Sequence, residues 1–173
     1  PIDLVILQDA SGSFEKTIPS VKNALKRLTT YVKPEQYNET DPHLVSTGDP
    51  DTTDRVFVSA YQGLDQVRYF DNEDFTGAID TYTNEGITGK HYQFSSSDLT
   101  SDQKSIHSFF DNITVGGGTP TVPGITDALA AYNSQKGEMK NGRKTVFLLV
   151  TDGVANGYRL PDGNVVMDKS YAR

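Results

Sequence analysis

Ile2-Asp3-Leu4-Val5-Ile6-Leu7-Gln8-Asp9-Ala10-Ser11-Gly12-Ser13-Phe14 is the stretch from which the fold is read. From Ile2 to Leu7 it is apolar except for Asp3, a nearly continuous run of strand length. Alternation would mark a strand with one wet face. A continuous run marks a strand buried on both faces, the kind found in parallel sheets. Gln8 to Ser13 is a polar turn. Beyond it Phe14, Ile18, Val21, Leu25, Leu28 and Val32 recur at steps of 4, 3, 4, 3 and 4. That spacing predicts an amphipathic helix lying on one face of the sheet, with Pro34 ending it.

Working outward, residues 34–53 are polar and rich in Pro, Asp, Thr and Gly, and predict a long surface loop. Arg55 to Tyr61 predicts a second strand. The turn Gly63-Leu64-Asp65 and the run Val67-Arg68-Tyr69-Phe70 predict a hairpin, with an antiparallel third strand. Residues 71–98 return to polar composition, with short helical turns expected around Asp74–Tyr82. Thr100-Ser101-Asp102-Gln103 has the form of a capping box and opens a helix carrying Ile106, Phe109, Phe110 and Ile113. Gly116-Gly117-Gly118-Thr119-Pro120 leads into another helix, with Val122, Ile125, Leu129 and Tyr132 as its apolar face and Pro suited to the first turn. Lys144 to Val150 is the most apolar strand and runs into Thr151-Asp152-Gly153. The order predicts an α/β fold: a doubly wound, mostly parallel open sheet with one antiparallel strand and helices on both faces.

Composition narrows the function. The chain has 173 residues, 35% of them hydrophobic and 23% charged, enough for one domain with a sizeable core. No apolar run is long enough to span a membrane. The formal charge of −7 argues against nucleic acid and anionic membrane surfaces as partners. There is no cysteine, which removes disulfides, thiolate metal sites and cysteine nucleophiles.

In open α/β sheets the site lies beyond the carboxyl ends of the parallel strands. Two segments fall there: Asp9–Ser13 after the first strand and Asp152–Gly153 after the last. Adjacent strands would bring the two Asp residues together. Asp9, Ser11 and Ser13 alternate along a turn and can converge on one point. Thr119 adds a third hydroxyl and Asp152 a second carboxylate. Two carboxylates and three hydroxyls, with no His or Cys, suit a hard cation: Mg²⁺ first, with Mn²⁺ or Ca²⁺ as alternatives. Two carboxylates only just neutralise a divalent ion. If one or both act through water, the ion keeps positive charge with which to attract an outside carboxylate.

Other readings compete. Asp-x-Ser-x-Ser taken alone fits an ordinary helix N-cap. The glycine loop could cradle a phosphate, although it lacks the P-loop Lys-Ser/Thr. Ser11 and Ser13 do not lie in Gly-x-Ser-x-Gly. A non-acidic residue at position 11 argues against an aspartyl-phosphate phosphatase. His43, His91 and His107 are scattered and read as structural. Tyr82, Tyr92, Phe94 and Tyr158 are either contact aromatics or loop packing. Asn38-Glu39-Thr40 and Asn112-Ile113-Thr114 fit the glycosylation sequon.

Asp9-Ala10-Ser11-Gly12-Ser13, Thr119 in Gly-Gly-Gly-Thr-Pro and Asp152 in Thr-Asp-Gly together resemble the von Willebrand factor A (vWA) family and its metal-ion-dependent adhesion site. The resemblance covers Ile2 to about Gly153. It implies that Asp9, Ser11, Ser13, Thr119 and Asp152 hold the metal, Ser11 and Ser13 directly. The Glu or Asp of a protein ligand would complete the shell. It implies a binding module and not an enzyme: an extracellular adhesion domain within a larger surface protein, such as a pilus-tip adhesin anchored to a Gram-positive cell wall. The target would be a host matrix or cell-surface protein, and the domain itself would not enter a membrane. The alternative it leaves open is an intracellular vWA subunit of an ATPase- or chelatase-like complex. The family continues past Asp-Gly with further helices and strands. Here residues 154–173 predict a hairpin or loop, so a single domain over 1–173 is expected, without the family's closing elements after about residue 153.

Overall fold

The computed structural model describes residues 1–30, 53–63, 92–163 and 165–167. Strand β1 (Ile2–Asp9) is followed by a single 3₁₀ turn (Gly12–Phe14) and helix α1 (Ile18–Thr30). Then come β2 (Arg55–Gly63), β3 (Tyr92–Ser96), α2 (Gln103–Asn112), α3 (Thr121–Gln135), β4 (Lys144–Val150), β5 (Gly157–Arg159) and β6 (Val165–Met167).

The main sheet has the order β3-β2-β1-β4. Both β2 and β4 run parallel to β1, and β3 runs antiparallel to β2. This is the mostly parallel sheet with one antiparallel strand that the apolar runs predict. The antiparallel strand is Tyr92–Ser96; the hairpin expected at 67–70, the helical turns at 74–82, and the loop from 34 to 52 lie outside the described residues.

Period-two alternation sends β1 to both faces. Leu4 and Ile6 join Val56, Val58, Leu25, Ile106 and Phe110 in the core under α1 and α2. On the other face Leu7 meets Tyr61 and Ala128, and Val5 meets Phe57 and Tyr132, beneath α3. Helices therefore cover both faces. Every residue from Asp3 to Asp9 is buried, as its continuous apolar run requires.

Two local expectations change. Asp102, not Thr100, caps α2: its carboxylate accepts from Lys104 N at 2.9 Å and from Ser105 Oγ at 2.7 Å. Gln103, freed from a capping-box role, is buried and donates its carboxamide to Thr29 O of α1. Helix α3 turns only part of the expected face inward: Ile125 and Tyr132 pack on the core. Pro123, Gly124, Ala128 and Tyr132 are buried, while Val122 and Leu129 are 64% and 41% exposed. At Gly124 the reason is closeness: α3 lies so near Tyr61 of β2 that a Cβ there would meet its ring at 2.6 Å. Among the described residues β4, the most apolar strand, sits at the sheet edge with Val146 and Phe147 exposed.

Among the described residues, no helix is long and apolar enough to cross a membrane. After Asp152 the chain forms the small β5–β6 hairpin expected for this segment. It packs on α3, held by Arg159–Asp127 at 2.8 Å.

Candidate metal centre

The pairing of β1 with β4 brings both strand ends to one place, since Gln8 lies opposite Val150. Asp9 and Asp152 then leave the sheet side by side. The connections between them are direct. Ser13 Oγ donates to Asp152 Oδ1 at 2.8 Å, and Ser11 Oγ lies 3.0 Å from Ser13 Oγ. Ser11 N donates to Asp9 Oδ1 at 2.8 Å. Thr151 Oγ1, one residue before Asp152, donates to Asp9 Oδ2 at 2.8 Å. Asp9, Ser11, Ser13 and Asp152 thus form one continuous polar chain.

Thr119 reaches the same place through backbone. Gly116 N donates to Ala10 O at 2.9 Å and Gly12 N to Gly117 O at 3.0 Å, zipping the glycine loop against the Asp9–Ser13 turn. Gly117 adopts φ 67°, a conformation open to glycine and strained for other residues. Gly63 N donates to Gly118 O, so the loop is also tied to β2. Thr119 itself is buried, and its N–H donates to Asn156 Oδ1 at 2.6 Å.

The site has a buried floor and an open rim. Asp9, Ser11 and Thr119 are almost wholly buried, whereas Ser13, Asp152 and Gly153 are exposed. Burial pushes the Asp9 carboxyl above the usual carboxylate range, and the nearby Asp152 charge pushes the same way, against the hydrogen bonds from Ser11 and Thr151. The same surroundings act on Tyr61 beneath the site. Burial first, then the Asp9 and Asp152 charges, raise its hydroxyl to about 12.

Asp3 shows the contrast. It lies on the same face of β1 as Asp9, six residues earlier, and is equally buried. Burial pushes it up too. Hydrogen bonds from Arg55 and Tyr132 and the charges of Arg55 and Arg143 outweigh that, and its carboxyl settles below the usual range. Arg55 donates to both of its oxygens (2.8 and 2.7 Å), Arg143 adds a third bond at 2.9 Å and Tyr132 a fourth at 2.7 Å. Among the described residues, no Lys, Arg or His pairs with Asp9 or Asp152. Nor do the described residues gather three or more His, Cys, Asp or Glu as a metal cage. What the described residues bring together is two carboxylates and the hydroxyls of Ser11, Ser13 and Thr151.

Three supporting residues carry no sequence signal of their role. Thr151 and Asn156 hold the site from the β4 side, and Tyr61 underlies it. Asn156 lies 37 residues from the threonine it holds, beyond any local pattern. Of the remaining candidates, His107 and Phe94 are half-buried, Tyr92 is buried and Tyr158 is exposed; His43, Tyr82 and His91 lie outside the described residues.

No family model matches the chain. It is 72% identical over its whole length to Platelet adherence protein A of Streptococcus gordonii, and spans 5% of that protein's length. Two solved structures share its fold at low identity. One is the vWF domain of the type V pili tip protein Mfa5 from Porphyromonas gingivalis (16% identity, TM-score 0.57, covering 94% of this chain and 41% of that one). The other is the pilus adhesin SpaC from Lactobacillus rhamnosus GG in its open conformation (18% identity, TM-score 0.55, covering 99% of this chain and 21% of that one). With its parallel β2-β1-β4 core, antiparallel β3 and helices on both faces, the chain has the von Willebrand factor A-type fold of these pilus proteins.

Proposed function

We propose that this chain is a cation-dependent adhesion module. In this reading Mg²⁺ is held by Asp9, Ser11, Ser13, Thr119 and Asp152, and a Glu or Asp of a host cell-surface protein completes its shell. The observation that carries the reading is the unequal treatment of two buried carboxylates on one strand. Asp3 has two guanidinium partners, whereas Asp9 faces hydroxyls, an N–H and a second carboxylate. Burying a carboxylate without a counter-charge is costly. A divalent cation supplies what the described residues do not.

The donor set fits such an ion. All the donors are oxygens, as Mg²⁺ prefers. Octahedral Mg²⁺ with oxygens at about 2.1 Å sets adjacent donors roughly 3.0 Å apart. Ser11 and Ser13 are separated by 3.0 Å, and Ser13 and Asp152 by 2.8 Å. The exposed rim at Ser13 and Asp152 leaves a side from which a ligand can approach. An acidic protein that grips an acidic group needs a cation between the two, and this chain carries a net charge of −7.

The likeness to a streptococcal platelet adherence protein favours adhesion over a place in an ATPase complex. It also favours a module displayed at the cell surface within a much longer polypeptide, with platelets as the first target to try. The test is binding of the chain to immobilised platelets in Mg²⁺, in EDTA, and as Asp9→Ala. Binding should fall at least tenfold in EDTA and in the variant. Equal binding in all three arms would remove the metal bridge from the proposal.

A further inference from the structure

The structure assigns Asn156 a role in the site that its position outside the five candidate ligands conceals. We infer that Asn156 is a positioning residue that sets the Thr119 hydroxyl for the cation. The inference rests on the metal reading above and deepens it.

Thr119 is the one candidate ligand outside the hydrogen-bonded chain running from Asp9 to Asp152. Its placement therefore depends on its backbone, and both backbone polar groups are bound to the same residue. Thr119 N donates to Asn156 Oδ1 at 2.6 Å, and Asn156 N donates to Thr119 O at 3.0 Å, an oxygen that also accepts from Thr121 N at 3.0 Å. Both residues are buried, Thr119 at 5% and Asn156 at 6% exposure. A two-point clamp of this kind holds a backbone in position and orientation, where a single bond would leave it free to pivot. A carboxamide suits the task because it is neutral: it accepts the N–H without adding a third negative charge beside Asp9 and Asp152.

Asn156 is itself anchored. It directly precedes β5, whose pairing with β6 and whose Arg159–Asp127 ion pair fix the hairpin on α3. It also lies four residues after Asp152. One short segment therefore carries one candidate ligand and clamps another, so the two sides of the site are positioned by the same piece of chain. Residues that orient metal ligands commonly change affinity by about 10- to 100-fold when removed.

Mg²⁺ affinity, measured by calorimetry on the full chain, tests this in the wild type, Thr119→Ala, Asn156→Ala, Asn156→Asp and the Thr119→Ala/Asn156→Ala double variant. Asn156→Ala should weaken binding about tenfold. Asn156→Asp, which keeps the acceptor for Thr119 N, should bind at least as tightly as wild type. In the Thr119→Ala background, loss of Asn156 should cost no further affinity, because it acts through Thr119. A general loss of structure would weaken both backgrounds equally. Amide hydrogen exchange in the wild type reads the clamp without any substitution: the Thr119 N–H should be protected even in EDTA. Wild-type affinity in Asn156→Ala, independent effects in the double variant, or an unprotected Thr119 amide would each overturn the inference. Failure of the wild type to bind Mg²⁺ would remove the metal reading and this inference together; wild-type binding with an indifferent Asn156→Ala removes this inference alone.

Discussion

Gly124→Ala should destabilise this chain, although simple helix propensity predicts the opposite sign. Gly124 lies inside α3, where replacement of Gly by Ala ordinarily gains about 1 kcal/mol. Here the added Cβ would meet Tyr61 at 2.6 Å from Cγ, 2.7 Å from Cδ1 and 3.0 Å from Cβ. Carbon pairs rest at about 3.5–4.0 Å, so each contact overlaps by roughly 1 Å. Tyr61 has no room to give way: it is 1% exposed, its carbonyl accepts from Ala10 N at 2.9 Å, and its hydroxyl meets Thr121 Oγ1 at 3.0 Å. The helix must retreat instead, and overpacking of this kind costs about 1–3 kcal/mol. With the clash at the upper end and the propensity gain subtracted, the net loss is about 2 kcal/mol.

Urea unfolding followed by circular dichroism measures this directly. The midpoint should fall with the slope unchanged, and Tm should drop by about 4–8 °C for a chain of this size. A stability gain of about 1 kcal/mol would refute the close packing of α3 on β2. The same variant reads the site, because α3 begins two residues after Thr119. A retreating helix should weaken Mg²⁺ binding beyond what the stability loss explains.

Asp3→Asn should cost about 3–5 kcal/mol, since it removes the buried carboxylate that Arg55 and Arg143 share. Because the folded Asp3 carboxyl titrates below its ordinary value of 3.8, its contribution is complete above that pH and is lost as pH falls through the folded value. The stability gap between wild type and Asp3→Asn should therefore be constant at pH 5–7 and close below about 3.8; a gap that widens in acid would reverse the assignment. Asp102→Ala should lose about 1 kcal/mol as an N-cap, whereas Gln103→Glu, a favourable change in a capping box, should destabilise by burying a charge. Urea titrations of both variants decide which residue opens α2.

The sheet was legible because β1 declares itself: a nearly continuous apolar run from Leu4 to Leu7, with Asp3 before it and Gln8 and Asp9 after it, marks a strand buried on both faces. The site's polar chain was legible for the same reason, since residues at strand ends inherit the order of the strands. What local pattern could not show was contact between distant segments. Gly124 looks like a weak point in a helix until Tyr61 is placed against it. Of the Val122, Ile125, Leu129 and Tyr132 stripe, Ile125 and Tyr132 face the core, while Gly124 and Ala128 take the places expected of Val122 and Leu129, because the helical period says nothing about how near the sheet comes. Asn156 and Thr151 are ordinary loop residues until β4 lies beside β1. The apolarity of β4 says nothing of its place in the sheet, which depends on what pairs with its far edge, and among the described residues that edge is free.

These contacts bear on how two carboxylates could hold a divalent ion. A site can gain affinity by adding charge or by being built in advance. Added carboxylates would neutralise the ion and leave little to attract a ligand. Here the parts are held by neutral groups instead: Ala10 N on Tyr61 O, Gly12 N on Gly117 O, Thr151 on Asp9, and Asn156 on Thr119. The ordering cost of bringing four segments together is met during folding, before any ion binds. A cation entering such a site would need few charges to stay and would keep the field that draws in a further carboxylate. Substituting these neutral groups should then lower metal affinity and ligand binding together, whereas Ser13→Asp, which adds charge at the rim, should tighten the metal and weaken the ligand. Both changes moving in the same direction would count against this division of labour.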